Sequence, residues 1–214
     1  MAFLIDMRVA ELLASRLCHD LVGPIGAVNN GMELLEDEDL GMSDDAIQLS
    51  ASSARQAANI LQFYRLAYGM SGGRIGSDLG DLRELAAGFL AASKTTLDWT
   101  MAGQPAEEMP EGLGKLLLNV IVLGEECLPR GGTLGVSVAE GPAGLEIAVT
   151  ANGTGARLRE ESQFVLADDV VIEELTPRNV HGYFTRLLAQ RMGSDLIIDS
   201  PGADRLRLSV TLAG

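Results

Sequence analysis

The chain has 214 residues, is 47% hydrophobic and only 4% aromatic, and is rich in Ala, Leu and Gly, a composition for close-packed helices rather than an all-β sandwich. A formal net charge of −14 argues against nucleic acid or an anionic membrane as a direct partner, because both reward Lys and Arg. Two cysteines, Cys18 and Cys127, are too few for a disulfide framework and lack metal-ligand spacing, so a cytoplasmic protein without a metal site is expected.

The first predicted helix starts at Asp6, a good N-cap, and runs through Leu35 before Glu36-Asp37-Glu38-Asp39 and Gly41 break the pattern. Leu13, Leu17, Leu21, Ile25, Val28, Met32 and Leu35 recur in steps of three and four and form one apolar stripe. At about 100° per residue His19 projects from the opposite side. A histidine standing in solvent beside an acid, Asp20, fits a phosphorylatable nucleophile: the acid orients one ring nitrogen and leaves the other free to attack phosphorus. A solvated surface histidine fits the same spacing. Pro24 lies inside the helix and predicts a kink or one lost backbone hydrogen bond. Arg16, about 60° around the helix from His19, is a candidate phosphate-neutralising cation, and a solvated or salt-bridged surface residue fits the same position. Ser15, Gly23, Gly26 and Asn30 fall within about 40° of the histidine direction and form a candidate partner-binding face kept low by two glycines.

A second helix is predicted from Asp44 to Tyr68, capped by Ser43-Asp44-Asp45, with a small face of Ser50, Ala51, Ser53, Ala54, Ala57 and Ala58 that Ile60, Leu61, Phe63 and Tyr64 continue as bulkier core. Two such antiparallel helices cannot enclose their own apolar stripes, which predicts a homodimer that closes a four-helix bundle. Gly69 to Gly80 holds five glycines and reads as a linker between a hairpin domain, residues 1–70, and a second domain, 78–214. Beyond it, helix is expected over Asp81–Leu90, Glu111–Leu128 and Asn179–Arg191. Strands are expected over Thr96–Ala102, Thr133–Ala139, Leu145–Ala151, Asp195–Asp199 and Arg205–Leu212, giving an α/β sandwich with one face of the sheet covered. His181 reads as a surface or helix-start residue, Cys18 as a small packed hydrophobe and Trp99 as core or as the edge of a partner surface.

A helical hairpin with an exposed His-Asp joined to an α/β sandwich resembles the dimerisation and ATPase domains of sensor histidine kinases. In that family the long helix of the ATPase domain ends in Asn-Ala, and the asparagine helps hold Mg-ATP; Leu123 and Gly124 stand at that place. An Asp-x-Gly-x-Gly loop whose carboxylate reads adenine is matched here by Ala151-Asn152-Gly153-Thr154-Gly155, without the carboxylate. A glycine-rich segment over the nucleotide phosphates is matched by Thr176-Pro177-Arg178-Asn179-Val180-His181-Gly182, where one glycine is too few to converge backbone N–H groups.

Replacement of all three features beside a kept histidine is similar to the ChpT-like dimeric histidine phosphotransferase family of Alphaproteobacteria. Leu17-Cys18-His19-Asp20, Gly31 to Asp37, Ala51 to Arg55, Leu61-Gln62-Phe63 and Thr96 to Trp99 support the resemblance over nearly the whole chain. It implies an α+β protein: a hairpin forming a dimeric four-helix bundle, then a degenerate histidine-kinase ATPase-like domain. It further implies a relay in which the receiver aspartate of a hybrid histidine kinase gives its phosphoryl group to His19, which passes it to response-regulator receivers controlling the cell cycle. Such a protein is not an ATP-dependent kinase and needs no cofactor of its own, since Mg²⁺ comes with the receiver. Many sensor kinases carry Thr or Asn four residues after the histidine for phosphatase activity; Gly23 sits there, so no such activity is expected. An ATP-independent dimeric scaffold that binds signalling proteins without chemistry is the alternative.

Overall fold

The computed structural model describes residues 5–36, 43–69, 78–101, 109–166 and 170–213. The expected acidic break over residues 37–41, nearly all of the linker and the end of the first strand at Ala102 lie outside the described residues.

Helix α1, Met7–Glu36, is capped by Asp6, whose carboxylate accepts from the Arg8 N–H at 2.8 Å. It continues through Pro24, which has no N–H to offer the Asp20 carbonyl one turn earlier. Helix α2, Ser43–Ala67, carries Asp44 and Asp45 in its first turn and Arg65 in its last, both favourable to the helix dipole. The two pack as an antiparallel hairpin with Asp20 opposite Tyr64 and Val28 opposite Ser50. Gly31 allows the approach: a Cβ there would meet the Ser50 side chain and the Ala46 carbonyl.

The second part comprises α3 (Leu79–Leu90), β1 (Thr95–Met101), α4 (Leu113–Glu126), β2 (Gly132–Gly141), β3 (Gly144–Asn152), α5 (Glu160–Val165), α6 (Val180–Arg191), β4 (Ile197–Gly202) and β5 (Arg205–Leu212), with a 3-10 turn at Ile172–Glu174. The sheet order is β1-β2-β3-β5-β4, with β1 parallel to β2 and every other pair antiparallel. Leu134, Val136 and Val138 on β2, Ile147, Val149 and Ala151 on β3, and Leu206, Leu208 and Val210 on β5 alternate inward at period two. They meet α4, whose residues from Leu113 to Gly124 are buried except Lys115. Gly124 seats this helix on the sheet, since a Cβ there would lie 2.6 Å from Val149 Cγ1 and 2.9 Å from Leu134 Cδ1. The protein is therefore a mixed α+β fold of a long helical hairpin and a helix-covered five-stranded sheet. The short α5 and the 3-10 turn were not expected from periodicity.

The hairpin is bolted to this second part rather than hung from it. One apolar core runs from Val9, Leu13, Phe63 and Tyr64 through Leu82 and Leu90 to α4 and the sheet. Asn119 Nδ2 donates to the Ala67 carbonyl at 2.8 Å, and Arg8 donates to the carbonyls of Ile172, Glu173 and Leu175 at 3.0–3.1 Å.

Candidate functional site

His19 stands on the outside of α1 with its side chain 88% exposed, and its Nδ1 lies 3.3 Å from Asp20 Oδ1. An ionised carboxylate can only accept, so in the neutral ring this contact favours the tautomer with the proton on Nδ1 and a free lone pair on Nε2. The other oxygen of Asp20 accepts from the Tyr64 hydroxyl at 2.6 Å. Burial, reinforced by Tyr68 and Asp20, pushes the Tyr64 phenol far above its ordinary range, so it remains a donor at any physiological pH.

Arg16 is placed otherwise than expected of a free cation. Its side chain is only 14% exposed, its Nη2 is hydrogen-bonded to the buried Glu126 carboxylate at the end of α4, and its Nε lies 4.0 Å from Asp20 Oδ2. The helix turn that carries His19 outward carries Arg16 toward the second domain, where a carboxylate occupies it. Burial lowers the arginine's pKa while Glu126 and the two neighbouring tyrosines raise it, with a net rise, so Arg16 stays charged. Burial lifts Glu126 above the usual carboxylate range, with Arg16 opposing.

Of the proposed partner face, Ser15, Gly23 and Asn30 are exposed and Gly26 is half-buried. A Cβ on Gly23 or Gly26 would meet nothing within 4 Å, so the face beside His19 is open. Cys18, expected to pack, is exposed: it lies one residue before His19, turned away from both α2 and the second domain.

His181 is at a helix start, as expected, but it is fully buried rather than at the surface. Its Nε2 donates to the Asn119 carbonyl at 2.9 Å and its Nδ1 accepts from the Tyr68 hydroxyl at 3.0 Å. Burial, with Arg16 adding, pushes its pKa down to about 3. The native state therefore stays neutral where the unfolded chain, titrating near 6.5, takes up a proton. The contribution is complete above about pH 6.5 and is lost as pH falls toward 3, at up to ~1.4 kcal/mol per pH unit. Urea unfolding at pH 7 and pH 5 should show about 2 kcal/mol of lost stability from this group, and His181→Gln should flatten that difference. Equal pH dependence in the two proteins would remove His181 as its source.

Leu123 and Ala151, which the resemblance to sensor kinases aligns with nucleotide contacts, have no exposed surface and belong to the apolar core. The Gly155 N–H of the neighbouring loop donates to the Asp204 carboxylate at 2.6 Å. Among the described residues no group of three His, Cys, Asp or Glu could hold a metal ion, and no helix is long and apolar enough to cross a membrane.

Two members of the cluster were missed in the sequence. Tyr64 read only as core, and its ring is indeed buried; its hydroxyl is what reaches Asp20. Glu126 carried a usable signal, because an acid near the end of a strongly apolar helix needs a charged partner if it is buried.

The family described as the histidine phosphotransferase C-terminal domain matches residues 79–204. The protein phosphotransferase ChpT of Brucella abortus (strain 2308) is 34% identical over 199 residues, covering 92% of this chain and 93% of that protein. A solved bacterial phosphotransferase superimposes with a TM-score of 0.80 at 32% identity, covering 98% of both chains.

Proposed function

This chain belongs to the histidine phosphotransferase family, and from that premise we propose that His19 is the residue that carries the phosphoryl group. The donor is the phosphorylated aspartate of a hybrid histidine kinase receiver, and the acceptors are response-regulator receivers of a cell-cycle-type phosphorelay. The observation that carries this reading is the exposure of His19 together with the contact of its Nδ1 with Asp20.

The aspartyl phosphate is an activated acyl phosphate, so little is required beyond in-line placement and charge neutralisation. The Nε2 lone pair forms the N–P bond while the bond from phosphorus to the receiver's carboxylate oxygen breaks, and that carboxylate leaves. The proton stays on Nδ1, where the Asp20 carboxylate offsets the positive charge of the phosphorylated ring. The reverse step onto a second receiver returns His19 to its starting state. Mg²⁺ belongs to the receiver's own site. ATP has no part in the step, a reading supported by the burial of Leu123 and Ala151 in the core.

The same reading makes the protein a homodimer. Val22, Ile25 and Met32 on α1 and Ile47 and Leu61 on α2 are exposed, with exposed Ala51, Ala54 and Ala58 between the latter two. At about 100° per residue both stripes turn to the same side of the hairpin, away from Val9 and Arg16 on α1 and Phe63 and Ala67 on α2, which face the second domain. Two hairpins joined by these faces close a four-helix bundle and leave both histidines outside.

The test is incubation with a phosphorylated receiver in the absence of ATP, followed by assay for acid-labile phosphate on this chain. The parent protein should be labelled, and His19→Gln should lose labelling while keeping its helix content. Labelling of the folded His19→Gln protein would overturn the reading. An unlabelled parent protein that still binds receivers would replace it with the scaffold.

A further inference from the structure

We propose that Tyr64 and Glu126 are positioning residues that present the Asp20 carboxylate to His19 Nδ1, so that a tyrosine of α2 and an acid of the second domain together set the tautomer of the phosphoacceptor. The proposal rests on the reading of His19 as that acceptor.

An aspartate side chain 30% exposed on a helix surface is free to turn into water unless something holds it. Tyr64 does so through its 2.6 Å hydrogen bond to Oδ2, which leaves Oδ1 for the imidazole. The tyrosine itself has no freedom. Its side chain is 1% exposed, its ring stacks on Tyr68 at 4.7 Å, and it meets Phe63 and Phe89 edge-on at 5.8 and 5.7 Å. The hydroxyl is thus a fixed point supplied by the core.

Arg16 is the competitor. It lies one turn before Asp20, and its charge is close enough, with Nε at 4.0 Å from Oδ2, to draw the carboxylate away from the histidine. Glu126 takes the guanidinium by Nη2, leaving Nε buried and without a hydrogen-bond partner. Nothing in the stability of α4 favours an acid at that position: it is buried, and it stands at the helix C-terminus, where the dipole opposes negative charge. Its effect is on Arg16, and through Arg16 on how strongly Asp20 is pulled off His19.

The experiment is long-range proton–nitrogen correlation of the histidine rings in the full chain, for the parent, Tyr64→Phe and Glu126→Gln, alongside the rate of transfer from a phosphorylated receiver. The parent His19 should show the Nδ1–H form, and both variants should shift toward the Nε2–H form that a free histidine favours. Transfer should slow by about tenfold, the order expected for one lost hydrogen bond to a charged group. In an Asp20→Asn background neither substitution should change the tautomer or the rate further. Tyr64→Phe removes a single oxygen and so remains a test where Glu126→Gln fails to fold. An unchanged Nδ1–H signal in folded Tyr64→Phe, or an Nε2–H ring in the parent, would overturn the proposal. Phosphate acceptance without His19 would overturn the function itself, whereas a tautomer indifferent to both variants in a chain that still depends on His19 would overturn only the positioning.

Discussion

If the parent is the homodimer proposed, a chain carrying Ala54→Glu should sediment as a monomer at the concentrations where the parent sediments as a dimer. Ala54 is exposed in the middle of the α2 stripe, so the substitution leaves the single hairpin unstrained. In a twofold dimer the same patch faces itself, and each substitution is counted twice. Placing two unpaired carboxylates in an apolar bundle core costs several kcal/mol, and a loss of about 4 kcal/mol alone weakens association roughly a thousandfold. Circular dichroism should remain at the parental helix content, because the core that joins the hairpin to the second domain lies on the other side. Analytical ultracentrifugation decides the matter: a dimer that persists with Ala54→Glu would show that copies meet through another face.

How far the sequence led is clearest at particular elements. The bounds of α1, α2, α4 and β5 fell within about two residues of expectation, because long amphipathic repeats, a continuous apolar run stopped by Pro129 and two glycines, and inward alternation are signals that repeat many times or end sharply. The six-residue α5 and the 3-10 turn at Ile172–Glu174 repeat nothing and were missed. His19 and Asp20 were legible because adjacency on one helix fixes their relation. An ion pair was one of the two readings open for Arg16, but its partner Glu126 is 110 positions away, a relation that helical spacing cannot express. His181 shows the same limit. A histidine in a polar-looking segment is buried here because the Asn119 carbonyl and the Tyr68 hydroxyl satisfy both ring nitrogens, and those partners come from α4 and the turn just past α2. Cys18 is exposed in the single chain, on the side of α1 that carries Val22 and Ile25. Flanking an apolar stripe predicts burial only when a partner covers that flank, and within one chain none does.

Gly26→Leu should fold and yet transfer phosphate at least a hundredfold more slowly from a receiver. The residue lies two turns beyond His19, roughly 10 Å along the same face, well within the footprint of a docking domain. A Cβ there meets nothing within 4 Å, so a side chain can leave the backbone without a clash, and replacing a helical glycine should favour the helix by about 1 kcal/mol. A melting temperature equal to or above the parent's and an unchanged dimer mass are therefore expected. What changes is the height of the face. A receiver must bring its phosphorylated carboxylate to within about 3–3.5 Å of Nε2 and in line, and a displacement of about 1 Å already costs on the order of a hundredfold. The chemistry of His19 itself is untouched, so phosphoramidate, a donor too small to feel the leucine, should label Gly26→Leu at the parental rate. Loss of labelling by phosphoramidate would place the damage in the histidine rather than in docking. Transfer from the receiver at the parental rate by the folded variant would mean that receivers approach His19 from another side of α1.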